Sequence, residues 1–200
     1  MRKLLFFCML FLVALPASTN AQEGDPILGL KFGWNKVEVL AAVSEMDVTQ
    51  QEGDFTVFST ETPPLPLMDA TVYLLTFYKE KLVKVTVVGE EIVDDEFGDE
   101  GRRVFEKYRS ALSGKYKEEM LHRYSGREVY TRTDEFWQCL GRSSCGWYCA
   151  VFEGSGRSMV LEMHSLHTGG YYRLDVETTE FKEGVKAHVR KNAQDAEDVL

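Results

Sequence analysis

A chain of 200 residues with 32 acidic side chains against 23 lysines and arginines carries a formal charge of −9 at pH 7. That sign repels nucleic-acid phosphates and anionic lipid, which argues against DNA, RNA or a membrane surface as partner and leaves a basic protein open. With 44% hydrophobic and 12% aromatic residues the chain can bury a real core, so wholesale disorder is excluded.

The N-terminus reads as a secretory signal. Arg2 and Lys3 precede the uncharged apolar run Leu4 to Leu15, then Pro16, then the small-residue cleavage context Thr19-Asn20-Ala21. An apolar stretch of about a dozen residues falls short of the roughly 20 a spanning helix needs, which weighs against an N-terminal membrane anchor. Cys8 lies inside the run rather than at its end, a poor position for lipidation. We therefore expect residues 1–21 to be cleaved and the chain from Gln22 to be periplasmic or secreted. The signal holds two positive charges and no negative ones, so its removal takes the formal charge from −9 to −11.

Residues 22–181 read as one α+β domain, a mostly antiparallel sheet with helices packed on one face. Residues 22–33 form an extended lead-in. Asn35 then caps a helix, with Glu38 three residues on as in a capping box, and Val37, Leu40, Ala41 and Val43 on one side. Phe55 to Ser59 is a strand, and Pro63, Pro64 and Pro66 hold residues 60–69 out of a sheet interior. Ala70 to Tyr78 and Leu82 to Val88 form a hairpin about Lys79-Glu80-Lys81, with Tyr73, Leu75 and Phe77 on one face and Val83, Val85 and Val87 matching them. A second helix runs from Asp99 to about Tyr116. Its acidic residues Asp99 and Glu100 suit the positive end of the dipole, and Val104, Phe105, Tyr108, Leu112 and Tyr116 face the sheet.

Glu128 to Thr131 is a further strand candidate, followed by a short helical turn around Asp134 to Leu140. Trp147 to Phe152, Met159 to Ser165 and Tyr171 to Thr178 are strands joined at Gly154-Ser155-Gly156 and Thr168-Gly169-Gly170. Residues 182–200 read as a charged helical or disordered tail.

Cys139, Cys145 and Cys149 remain after cleavage, and an oxidising compartment favours one disulfide. If residues 146–152 are a strand, Cys145 and Cys149 stand roughly 13 Å apart at about 3.3 Å per residue, beyond the limit of about 7 Å for a bridge. Cys139 with Cys145 closes a turn-rich loop and is preferred. Cys139 with Cys149 is the competitor.

That loop is the first candidate contact surface. It carries Arg142 and is flanked by Trp137 and Trp147, a rigid shape with a cation at its tip, although stapling a short helix to the sheet is the favoured role of the bridge. Glu162, His164 and His167 have metal-ligand chemistry but no helical spacing, and Arg173 and Asp175 on the next strand supply ordinary cross-strand partners. The acidic run from Glu90 to Glu100 lacks the alternate-ligand and glycine arrangement of a calcium loop. No nucleophile elbow occurs, and Gly154-Ser155-Gly156-Arg157 lacks the rest of a phosphate loop. No catalytic, cofactor or metal residue is assigned.

Residues 29–88, a glycine-led helix followed by Thr71-Val72-Tyr73-Leu74-Leu75-Thr76-Phe77-Tyr78 and Leu82-Val83-Lys84-Val85, resemble the small outer-membrane-assembly lipoproteins (the SmpA/OmlA-like proteins). The resemblance implies an exported, non-enzymatic α+β module and carries over no functional residue. The chain departs from that pattern in lacking a lipobox cysteine at the signal end and the Gly-x-Pro after the helix. It also adds a whole C-terminal half. Three functions follow in order: an exported binding or accessory protein with a protein partner, an inhibitor or immunity-type protein that blocks a basic enzyme or toxin, and an enzyme.

Overall fold

The computed structural model describes residues 25–93, 95–123, 132–142, 145–166 and 169–197. The expected signal peptide, the strand expected at 128–131, the loop serines Ser143 and Ser144, and His167 lie outside these residues.

Asn35 caps the first helix as its spacing to Glu38 suggests. Asn35 Oδ1 accepts from the Glu38 N–H at 3.0 Å, and Glu38 Oε2 accepts from the Asn35 N–H at 2.7 Å. Helix α1 (Lys36–Leu40) is one short turn. Its core contacts come from Val39 and, just past its end, Val43, which are buried four residues apart, whereas Val37 is 75% exposed and Leu40 is also exposed. The expected apolar side is therefore rotated.

Four strands follow as an antiparallel meander: β1 (Asp47–Glu52), β2 (Phe55–Thr60), β3 (Ala70–Tyr78) and β4 (Lys81–Gly89). Helix α2 (Asp99–Ser113) opens a second such unit, β5 (Lys117–His122), β6 (Cys149–Gly154), β7 (Arg157–Ser165) and β8 (Gly170–Thr178). Between β5 and β6 a 3-10 turn, Thr133–Glu135, leads into the short helix α3 (Phe136–Leu140). The two meanders join at their last strands, giving one eight-stranded antiparallel sheet in the order β1-β2-β3-β4-β8-β7-β6-β5. The fold is α+β, and topology shows a repeat, a helix and then four strands, that the sequence does not display as a period.

Alternation sorts the two faces of the sheet. On one, Tyr73, Val87, Phe152, Met159, Leu161, Met163, Tyr172, Leu174 and Val176 form a buried cluster with Phe105 and Tyr108 of α2 and Phe136 and Trp137 of α3. Val104, Leu112 and Tyr116 pack partly buried against it, as their helical spacing suggests. A second cluster on the same face places Val39 and Val43 against Phe58, Leu75, Phe77, Leu82 and Val85. Leu82 joins this cluster opposite Phe77 because the register slips between Thr76 and Phe77, pairing Thr76 with Lys84 but Phe77 with Leu82. Val83, the extra residue of the bulge, is also buried but belongs to neither cluster.

Helix α4 (Thr179–Glu197) continues directly from β8, so residues 182–197 are helical. It does not join the other helices. Lys84 Nζ sits 5.0 Å over the Phe181 ring, and Phe181 and His188 meet the Phe55 ring edge-on at 5.9 and 6.2 Å. Phe55, Tyr78 and Lys84 alternate with the core residues and belong to the opposite face. The expectation of helices on a single face is thus corrected: α1, α2 and α3 cover one face, and α4 covers only the end of the other where the β3–β4 turn lies. Among the described residues, no helix is long and apolar enough to cross a membrane.

Two carboxylates, Asp69 half-buried and Asp95 buried, lock this arrangement. Asp69, ending the proline-rich loop, accepts from Lys107 Nζ at 2.7 Å and from the hydroxyls of Tyr108 and Tyr172. Asp95 caps α2: its carboxylate accepts from the N–H groups of Glu100 and Gly101 at 3.1 and 2.9 Å, while its backbone carbonyl accepts from Trp137 Nε1–H at 2.7 Å. Gly98 enters the helix at φ +70°, and a Cβ there would stand 2.0 Å from the Phe136 ring, so glycine is required where α3 docks.

These contacts separate Asp95 from Asp99, the residue that sequence alone puts at the helix start. Asp95→Ala should lower the unfolding free energy by about 1–2 kcal/mol through loss of the cap. Asp99→Ala, at a side chain 81% exposed, should cost only a few tenths of a kcal/mol. Urea unfolding of the two variants checks this, and a larger loss for Asp99→Ala would contradict the assignment.

Candidate functional site

The cysteine loop forms as preferred from the sequence. Cys139 and Cys145 are bonded with Cα atoms 5.1 Å apart, and Cys149 is a free, buried thiol on β6. The Arg142 N–H donates to the Cys139 carbonyl at 3.0 Å, and the Cys145 N–H donates to the Arg142 carbonyl at 2.8 Å, tightening the turn. Burial pushes the Cys149 thiol up to about 11, with the nearby Glu162 charge adding to the shift.

The three side chains expected around this loop do not form one surface. Arg142 is exposed. Trp137 is buried, its ring meeting Phe136 edge-on at 4.9 Å and lying where a Cβ on Gly101 or Gly170 would clash. Trp147 is 46% exposed and stands on the opposite side of the sheet, where its Nε1–H donates to Glu162 Oε1 at 3.1 Å and its ring lies 5.8 Å from that of His122. A flanking tryptophan on either side of a disulfide looks alike in sequence. The difference is that Trp137 rides on α3 and Trp147 on the segment entering β6.

Trp147 marks the part of the sheet that α4 leaves open. Register places two transverse rows there. One runs Met120, Val151, Val160, Asp175, Thr86, Leu74, and the other runs His122, Cys149, Glu162, Arg173, Val88. Met120 is 39% exposed, and Val151, Val160, Val88 and Leu74 are only partly covered. Between these apolar patches lies a fixed set of charges. Arg173 Nη2 donates to Glu162 Oε2 at 2.7 Å, Lys84 Nζ lies 3.2 Å from Asp175 Oδ2, and the Thr86 hydroxyl donates to Asp175 Oδ1 at 2.5 Å. Arg173 Nε is 3.3 Å from Asp175 Oδ2 but out of line with it, leaving a buried donor without an acceptor.

Glu162 is the hub. It takes Arg173, Trp147 and His164, whose Nε2 lies 3.2 Å from Oε2 and whose ring stacks on Tyr171 at 5.3 Å between centroids. The His164 contact chiefly holds its carboxyl below the ordinary range, with Arg173 and Trp147 adding to the effect and burial opposing it. Glu177, on the neighbouring row beneath α4, is shifted the other way because burial outweighs the attraction of Lys84 and Lys182. Among the described residues, no three His, Cys, Asp or Glu side chains converge as metal ligands. Glu162, the carboxylate of the sequence-level metal set, is occupied by its cross-strand arginine, and Asp175 by Lys84 and Thr86.

Comparison with known proteins finds no matching family model, no matching curated protein and no matching solved structure.

The Glu162 cluster has a pH signature. Its folded carboxyl is more acidic than in the unfolded chain, so the stabilisation is complete above about pH 4.5 and is lost as pH falls through the depressed folded value. Glu162→Gln should therefore lower stability by about 1–3 kcal/mol at pH 7. The gap between variant and wild type should narrow below pH 4, as thermal unfolding across pH would read. A gap constant with pH would contradict the ionised cluster.

Proposed function

We propose that this is an exported, non-catalytic binding protein that meets a protein partner through the open face of its sheet. The observation that carries the reading is Trp147. It is a large aromatic side chain, nearly half exposed, whose orientation is already set by Glu162 and His122. Aromatic anchors of this kind, surrounded by apolar and charged contacts on a rigid scaffold, supply much of the energy of protein interfaces at low ordering cost. Partly covered valines and Met120 around it, and ion pairs held between strands, provide the surrounding contact area.

Export rests on the signal-like residues 1–21, with the Cys139–Cys145 bridge in support. The likeness of residues 29–88 to the outer-membrane-assembly lipoproteins points to the same compartment and to a role without catalysis. The excess of acidic groups favours a basic partner, and a partner that is itself an enzyme or toxin would make this chain its inhibitor. Electrostatic steering would then make association faster at low salt.

A photo-crosslinking amino acid at position 120 tests the face, with the same group at Val37, exposed on α1 across the sheet, as control. In cells secreting the protein, position 120 should give one adduct of defined mass on a chain beginning near Gln22, and position 37 should give none. Adding Trp147→Ala should reduce that adduct at least about tenfold, through faster dissociation. An adduct from position 37 alone, or one indifferent to Trp147→Ala, would contradict the reading.

A further inference from the structure

At the end of the sheet beneath α4 lies a groove of about 870 Å³, bounded by the lead-in at residues 31–33, the two-residue turns Lys79-Glu80 and Ser155-Gly156, and the first turns of α4. Its charge runs against that of the chain. Lys31, Lys79, Lys81 and Arg157 line it, opposed by Glu180 and Glu183. Elsewhere Lys84, Arg109, Arg173 and Lys182 are engaged by carboxylates. Among the described residues Lys79, Lys81 and Arg157 make no such pair.

Arg157 is the telling member. It is only 6% exposed, yet its guanidinium is held by a neutral carbonyl, that of Asp25, to which Nη1–H donates at 2.6 Å, and by the Phe32 ring 4.9 Å away. A guanidinium has five N–H donors in a planar fork suited to a carboxylate or phosphate. Burying one without a counter-charge is unfavourable unless an anion reaches it. The apolar part of the lining comes from Phe32, Tyr78, Leu82 and Val83. Lys79 Nζ lies 5.1 Å over the Tyr78 ring, which places a cation beside an apolar wall.

We propose that this groove binds a small amphipathic anion, with a carboxylate or phosphate head on Arg157, Lys79 and Lys81 and an apolar portion along Phe32, Tyr78 and Val83. Its volume suits a ligand of drug-like size. Glu180 and Glu183 at the far side disfavour a polyanion. The site is distinct from the open face of the sheet and does not depend on that reading.

Calorimetric titration of the full chain at constant ionic strength tests it, with phenyl phosphate, inorganic phosphate and benzylammonium as probes. Phenyl phosphate should bind saturably and at least about fivefold more tightly than inorganic phosphate, and benzylammonium should not bind. Arg157→Gln should weaken phenyl phosphate about tenfold or more, and Arg157→Lys less. Because Arg157 is buried, the surface double variant Lys79→Gln/Lys81→Gln serves as the second test: it should keep the wild-type melting temperature and weaken binding severalfold. Absence of saturable binding, equal affinity for the two phosphates, or affinity unchanged in the double variant would overturn the proposal.

Discussion

The pairing of β4 with β8 is the constraint on which the rest of the structure depends. Val85 lies opposite Val176 and Val87 opposite Leu174 on one side, while Lys84 faces Glu177 and Thr86 faces Asp175 on the other. Each meander alone would be a four-stranded sheet with the outer edge of its last strand open. Joined at this seam they satisfy both inner ladders and leave only β1 and β5 as edges. Both edges are polar and irregular, with register shifts at Val48/Gln50 and Glu118/Met120 that disfavour pairing with another chain. Because alternation is continuous across the seam, the apolar rows of both halves fall on one face and the charged rows on the other.

That division explains where the helices go. α1, α2 and α3 bring apolar side chains to the apolar face. α4 meets the other face only where Phe55, Tyr78 and the Lys84 stem offer it something to cover. Beyond that end the rows holding Asp175, Arg173 and Glu162 remain without a helix above them. Their charges are matched between strands, so the face is stable without a cover. It still presents Trp147 and Met120 outward.

Much of this organisation is legible in the sequence, and the failures have definite causes. Strands β2, β3, β4, β6, β7 and β8 carry β-branched and aromatic runs because each is flanked on both sides by other strands. β1 and β5, Asp-Val-Thr-Gln-Gln-Glu and Lys-Glu-Glu-Met-Leu-His, show no such run because an edge strand buries almost nothing. The cap of α2 is equally hidden. Asp95 sits in an acidic run that reads as solvated, and only the folded chain shows its carboxylate turned back onto the helix. The bulge after Leu82 leaves both Leu82 and Val83 buried and Val83 without a partner on β3, which strict alternation cannot anticipate. The preference for Cys139 with Cys145 is legible in the turn-forming residues between them. Strand spacing bears only on Cys145 with Cys149, and it places the strand start too early, since β6 begins at Cys149. The separation of Trp137 from Trp147 is not legible, since it depends on which face the segments on either side of the Cys139–Cys145 bridge reach.

One face of the sheet is core and the other is open to solvent beyond α4, and hydroxyl-radical footprinting of the intact protein tests this division most directly. Tryptophan and methionine each occur on both faces, so each residue type supplies its own control. Trp147 and Met120 should oxidise rapidly, and Trp137, Met159 and Met163 should be protected by at least an order of magnitude, in keeping with their burial. Equal protection of Trp147 and Trp137, or oxidation of Met159 as fast as that of Met120, would contradict the account.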